Sequence, residues 1–158
     1  MTLLRTIGLQ ALSILVCGSA FAQSPRPPVE TIQGDPFAAM EQFARCSARF
    51  EIAAEMARNA SMPAGAEEYM GASRGARVAA NFFAIILATR TGSEEADVVA
   101  GATDRRMEQA ENFYQLELNS QRATSERGEM DEAGFMYCFE LQPLQIRTIE
   151  IMRREGLL

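Results

Sequence analysis

From Asp35 onward, apolar residues return at alternating intervals of four and three, the spacing of one face of an α-helix. Ala39, Phe43, Cys46, Phe50, Ala53 and Ala57 form the first such seam. Asp35-Pro36 supplies its start, an N-cap carboxylate followed by a proline whose missing N–H costs nothing in the first turn. This helix should end near Asn59, because Pro63 cannot continue it. A second helix is predicted from about Pro63 to Thr91, with Gly92 just beyond its end. Its first half repeats small residues every four positions, Gly71, Gly75 and Ala79, which permits close approach of another backbone and is expected to serve packing within the chain. Its second half, Phe82 to Leu87, is apolar on nearly every side, so this helix is expected to be the most buried.

Ser93 is placed to cap a third helix, with Glu94, Glu95 and Asp97 in the first turn and an inward stripe of Val99, Thr103, Met107, Ala110, Tyr114 and Leu118. That helix should fray between Asn119 and Gly128. Asp131 or a neighbour opens a fourth, carrying Phe135, Cys138, Phe139, Leu141, Ile146, Ile149 and Met152, and Pro143 is expected to kink or split it near Gln142. Each predicted helix has acids near its start and arginine near its end, the distribution that helix dipoles favour. No segment sustains the period-two alternation of a strand. The expected fold is all-α: an antiparallel four-helix bundle in a single domain over residues 35–158.

The sequence before Asp35 has a different character. Residues 1–22 read as a cleavable export signal: Arg5, an apolar run from Ile7 to Val16, then Ala20-Phe21-Ala22 with the small-x-small pattern of a cleavage site. Cys17 lies inside that signal, and Val16 before it is not the small residue that a lipid-anchoring site wants, so Cys17 is expected to leave with the signal. Residues 23–34, with three prolines and no apolar period, are expected to form a flexible leader. Export in an Ala- and Arg-rich chain without lysine points to a bacterial periplasm. After cleavage 14 arginines face 21 acidic residues, a net charge of 14 − 21 = −7, which argues against nucleic acid and anionic membranes as partners. The longest later apolar run, Val78 to Ala88, is too short for a membrane span.

Cleavage leaves two cysteines, Cys46 on the first predicted helix and Cys138 on the last, each within an apolar seam. In an oxidising compartment they are expected to form a structural disulfide. Axial register is the difficulty. With level helix ends the two would miss by about 12 Å at 1.5 Å per residue, so the bridge requires staggered helices, an early start for the last helix, or a bend at Pro143. No Cys-x-x-Cys motif suggests redox catalysis.

The absence of histidine removes imidazole bases, His-activated nucleophiles and the Glu-x-x-His ligands of carboxylate di-iron bundles. The absence of lysine removes Schiff-base chemistry and P-loop phosphate binding. Glu51 with Glu55 and Glu108 with Glu111 share helix faces, which reads as solvated charge before it reads as acid–base catalysis. Eight methionines remain after cleavage, none in the close clusters that hold Cu(I); most should fill the core, with an exposed methionine groove for partner binding as the functional alternative. Arg105-Arg106 sits mid-helix with no acid assigned to it. These readings contain no catalytic, cofactor-binding or metal residues. They lead to a non-enzymatic periplasmic module that binds another protein. The alternatives are a carrier holding a small apolar ligand among Phe82, Phe83, Phe113 and Tyr114, and then a carboxylate-dependent hydrolase.

Overall fold

The computed structural model describes residues 26–90, 92 and 95–158. The expected export signal, Cys17 and the Ser93 cap lie outside these residues. Five helices make up the described regular structure: α1 (Val29–Gly34), α2 (Pro36–Asn59), α3 (Pro63–Thr89), α4 (Ala96–Glu126) and α5 (Glu132–Arg154). Local chemistry sets their ends. Asp35 Oδ1 accepts from the amides of Phe37 at 2.9 Å and Ala38 at 3.2 Å, with Pro36 in the first turn. Gly128, at φ 73°, reverses the chain after α4, so that Glu129 N reaches back to Thr124 O at 3.1 Å. Asp131 caps α5 by accepting from Gly134 N at 3.0 Å.

The helices do not form a square four-helix bundle. α2 and α3 make a closely packed antiparallel hairpin, joined across their middle by the Ser73 hydroxyl donating to Ser47 O at 2.9 Å. α4 lies against both members of the hairpin and α5 lies against both as well, while α4 and α5 make no close backbone approach to one another. α2 is therefore the central element. It buries more than half of its residues, among them Met40, Phe43, Cys46 and Phe50.

This corrects the expectation that the second helix would be the most buried. In α3 the residues that face inward are the small ones, Ala76, Ala79, Ala80, Ala84 and Ala88. Phe82, Phe83, Ile86 and Leu87 are only half-buried and Ile85 is exposed. Close approach of α2 selects the alanines, and the large side chains are moved to the flanks. The small-residue repeat acts at one glycine of its two. A side chain at Gly75 would collide with Gln145 of α5, whereas Gly71 faces open space.

A second correction concerns the leader. Residues 29–34 form α1, which packs on α2 and α5 with Ile32 completely buried. The Tyr137 hydroxyl donates to the Pro27 carbonyl at 2.7 Å, and Arg26 pairs with Asp131. Three prolines obscured the one isoleucine that anchors the segment. Its residues from Arg26 onward belong to the folded domain rather than to a loose tail.

Pro143 does not split the last helix; α5 runs unbroken through it. The proline lies on the exposed face, where water can serve the Phe139 carbonyl that loses its helical donor.

Candidate functional site

Cys46 and Cys138 face each other across the α2–α5 contact, with sulfurs 2.04 Å apart and Cα atoms 5.4 Å apart. That is disulfide-bonding geometry. The axial mismatch is removed by stagger: α5 begins alongside the middle of α2 and not at its end, as the Arg49 to Gly134 contact shows. The register follows from buried charge.

Arg49, on the inward side of α2, is the hub. Its Nε donates to Glu117 of α4 at 2.8 Å, its Nη1 donates to the Gly134 carbonyl at 2.9 Å, and its Nη2 lies 3.2 Å from Asp131, the α5 cap. Glu117 also accepts from Arg45 at 3.0 Å and from Gln121 at 2.8 Å, and Arg45 pairs with Glu41 at 2.9 Å. Asp131 is completed by Arg26. The chain Glu41, Arg45, Glu117, Arg49, Asp131, Arg26 thus alternates in sign and sums to zero. It joins α2, α4, the α5 cap and the segment leading into α1.

No buried side-chain nitrogen or oxygen among the described residues lacks a hydrogen-bond partner. Burial would raise the Asp131 carboxyl; the Gly134 amide, the Arg26 hydrogen bond and the Arg49 charge outweigh it and hold the group below its ordinary value. Gly134 is required here, because a Cβ at that position would sit 2.6 Å from the Arg49 guanidinium and would strike the Asp131 carboxylate.

Glu41 and Arg45 form an i, i+4 pair on α2, but the reach of Arg45 into Glu117 was not foreseen from the sequence. Nor was Arg49. The signal was present in both cases: Arg49 follows Cys46 by three residues and Glu117 follows Tyr114 by three, so both charges fall on apolar seams.

The other candidates are dispersed. Glu51 accepts a hydrogen bond from the Tyr114 hydroxyl, whereas Glu55 pairs with Arg122 at 3.2 Å, so these two acids serve different partners. Glu111 sits 3.7 Å from Arg77, whose guanidinium lies 3.9 Å from the centre of the Tyr114 ring. Burial, followed by the Glu51 hydrogen bond and charge, pushes the Tyr114 phenol up to about 12.

Of the four aromatics considered for an apolar ligand, Phe82 and Phe83 meet one another, while Phe113 and Tyr114 have other partners. Phe83 stacks on Phe43 and meets Phe82, while Phe113 meets Phe37 edge-on. Arg105 and Arg106 line an open cleft of about 350 Å³ with Ala102 and Gln109.

Three of the four exposed methionines lie at or near the α2–α3 and α4–α5 turns. Met56 near the end of α2, Met62 in the α2–α3 turn and Met130 in the α4–α5 turn are 39%, 59% and 52% exposed. Met56 and Met130 share a crevice with Ile52 and Phe135, and it adjoins a cleft of about 270 Å³ lined by Glu55, Met56, Arg122 and Glu126. This corrects the expectation that most methionines fill the core: Met40 and Met152 are buried and Met70 and Met107 half-buried, while Met136 on α5 is a fourth exposed one, at 59%.

Among the described residues no cluster of three acidic, cysteine or histidine side chains is placed to hold a metal, and no helix is long and apolar enough to cross a membrane. Comparison with known proteins finds no matching family, no similar curated protein and no similar solved structure, so any functional reading rests on the residues described above.

Proposed function

We propose that the mature chain is an exported, non-enzymatic helical module of the periplasm, closed by a Cys46–Cys138 disulfide, that acts by binding an apolar segment of another exported protein. The observation that carries this reading is the exposure of Met56, Met62 and Met130 at or near the α2–α3 and α4–α5 turns. Flexible, polarisable thioethers adapt to apolar partners of varied shape, and two of the three, Met56 and Met130, line one crevice. The buried ionisable groups support the reading too, since Arg49, Glu117 and Asp131 are committed to one another.

Site-directed photocrosslinking in the exporting cell tests the proposal. A photoreactive residue at Met62 or Met130 should give one discrete adduct of constant stoichiometry, and the same probe at exposed Asn119 on α4 should not. Equal labelling from Asn119, or no adduct from either methionine position, would refute it.

A further inference from the structure

The adjacent arginines of α4, Arg105 and Arg106, lack the service that explains the chain's other arginine doublet. Arg153-Arg154 closes α5, where the helix dipole favours cations, and Arg154 pairs with Glu155 at 3.2 Å. Arg105 and Arg106 stand in the first half of α4, far from its C-terminal turn, and neither makes an ion pair among the described residues. Side by side, the two charges repel one another.

They do meet at a cleft. Its volume is about 350 Å³, and among the described residues it is lined by Ala102, Arg105, Arg106 and Gln109. Half-buried Arg106 donates from Nη1 to Gln109 Oε1 at 2.9 Å, which holds its guanidinium in place. With that oxygen engaged, the Gln109 amide has its NH2 as a further donor. Arg105 folds back beside Gly101, where a Cβ would sit 3.5 Å from its Nη1.

Helical geometry turns the nearest acids of α4 away from this cleft. At 100° per residue, Gln109, Ala102 and Arg106 lie roughly 40°, 60° and 100° to one side of Arg105. Asp104 and Glu108 lie roughly 100° and 60° to its other side, and neither pairs with it. The lining therefore offers two guanidiniums and an amide over an alanine floor, and no carboxylate.

We propose that this cleft binds a small molecule through an oxyanion, a phosphate or a carboxylate, held between Arg105 and Arg106 with Gln109 as a third donor. The planar fork of a guanidinium matches the oxygens of such a group two at a time. The volume falls within the range of about 300–1,000 Å³ common for small-molecule sites. The chain as a whole is acidic and repels anions at long range, so recognition rests on these short-range contacts. The cleft shares no residue with the methionine crevice, so the proposal stands or falls apart from the protein-binding reading.

The test is isothermal titration calorimetry of the mature, oxidised chain at low ionic strength, with inorganic phosphate and succinate as separate probes. Circular dichroism confirms that each variant keeps its helices. The wild type should bind at least one of the probes, one molecule per chain. Arg105→Ala combined with Arg106→Ala should weaken that binding by about 10- to 100-fold, the loss of charge-assisted hydrogen bonds. Arg106→Lys keeps the charge without the fork and should fall between the two. Arg153→Ala combined with Arg154→Ala removes the same two charges from the end of α5 and should leave the affinity unchanged.

A wild type that binds neither probe would overturn the proposal. So would equal weakening by the two double variants, which would make the binding a property of net charge and not of the cleft. If a photoreactive residue at Gln109 joins the chain to another protein while neither probe binds, the cleft receives an acidic segment of that protein and the small-molecule assignment is wrong.

Discussion

Replacing Arg49 by methionine removes the hub of the buried network while keeping a side chain of similar length. Wild-type Arg49 serves Glu117 at 2.8 Å, the Gly134 carbonyl at 2.9 Å and Asp131 at 3.2 Å, with its side chain only 8% exposed. Removing one partner of a buried ion pair costs about 3–5 kcal/mol, because the charge left behind has lost its solvation and gained nothing. Here both acids keep a second arginine, Arg45 for Glu117 and Arg26 for Asp131, so the expected loss is at the lower end, about 3 kcal/mol. In urea unfolding followed by circular dichroism, that loss moves the midpoint down by roughly 1–3 M.

Two controls isolate the cause. Arg49→Met and Glu117→Gln should be strongly non-additive, with the double variant recovering at least about 1 kcal/mol of the summed losses. The acid limb gives an independent readout. Asp131 titrates below its unfolded value, so it contributes stability above the unfolded pKa, and that contribution is lost as pH falls from about 4 through the lower folded value. Arg49→Met removes one of the charges that depress Asp131, so stability should fall less steeply on acidification. A loss below about 1 kcal/mol, or simple additivity with Glu117→Gln, would refute the claim that this network couples α2, α4 and α5.

Other outcomes follow from the same geometry. Gly134→Ala should cost about 1–3 kcal/mol because its Cβ meets Arg49 and Asp131, whereas Gly71→Ala, with open space around it, should stabilise by about 0.5–1 kcal/mol; thermal unfolding of the pair reads both. Ile32→Ala should cost about 2–4 kcal/mol if α1 is part of the core, and proteolysis should then release the N-terminal segment; no change in stability would return it to a loose leader. Spectrophotometric titration should find Tyr114 and Tyr137 ionising near 12, their contribution present below the unfolded value near 10 and lost as pH rises towards 12. Glu51→Gln should bring Tyr114 part of the way down and leave Tyr137 in place, since burial is the largest cause for both.

The long helices were legible in sequence because their ends are written in local chemistry. Asp35-Pro36 begins α2, Pro63 begins α3 and Asp131 caps α5 through interactions spanning three residues or fewer. What was hidden depends on pairs far apart in the chain. Ile32 looks incidental among prolines until α5 is packed beside it. Arg49 reads as an isolated charge on an apolar seam until Glu117 and Asp131, 68 and 82 residues later, come to meet it.

The cysteine pairing shows the two levels together. Residue types and compartment suggested which cysteines would pair, while level helix ends argued against it by about 12 Å. The stagger that reconciles them follows from Arg49 drawing the α5 cap to the middle of α2. Likewise, the apolar run Phe82 to Leu87 suggested depth, but the alanines of α3 took the inner face because small residues allow helices to approach most closely.

The most direct test of the account is non-reducing peptide mapping by mass spectrometry on protein recovered from the periplasm. The account predicts a mature chain beginning at Gln23, with the peptides carrying Cys46 and Cys138 joined and two hydrogens lighter than their sum. Both cysteines alkylated without prior reduction, or residues 1–22 still attached, would contradict it.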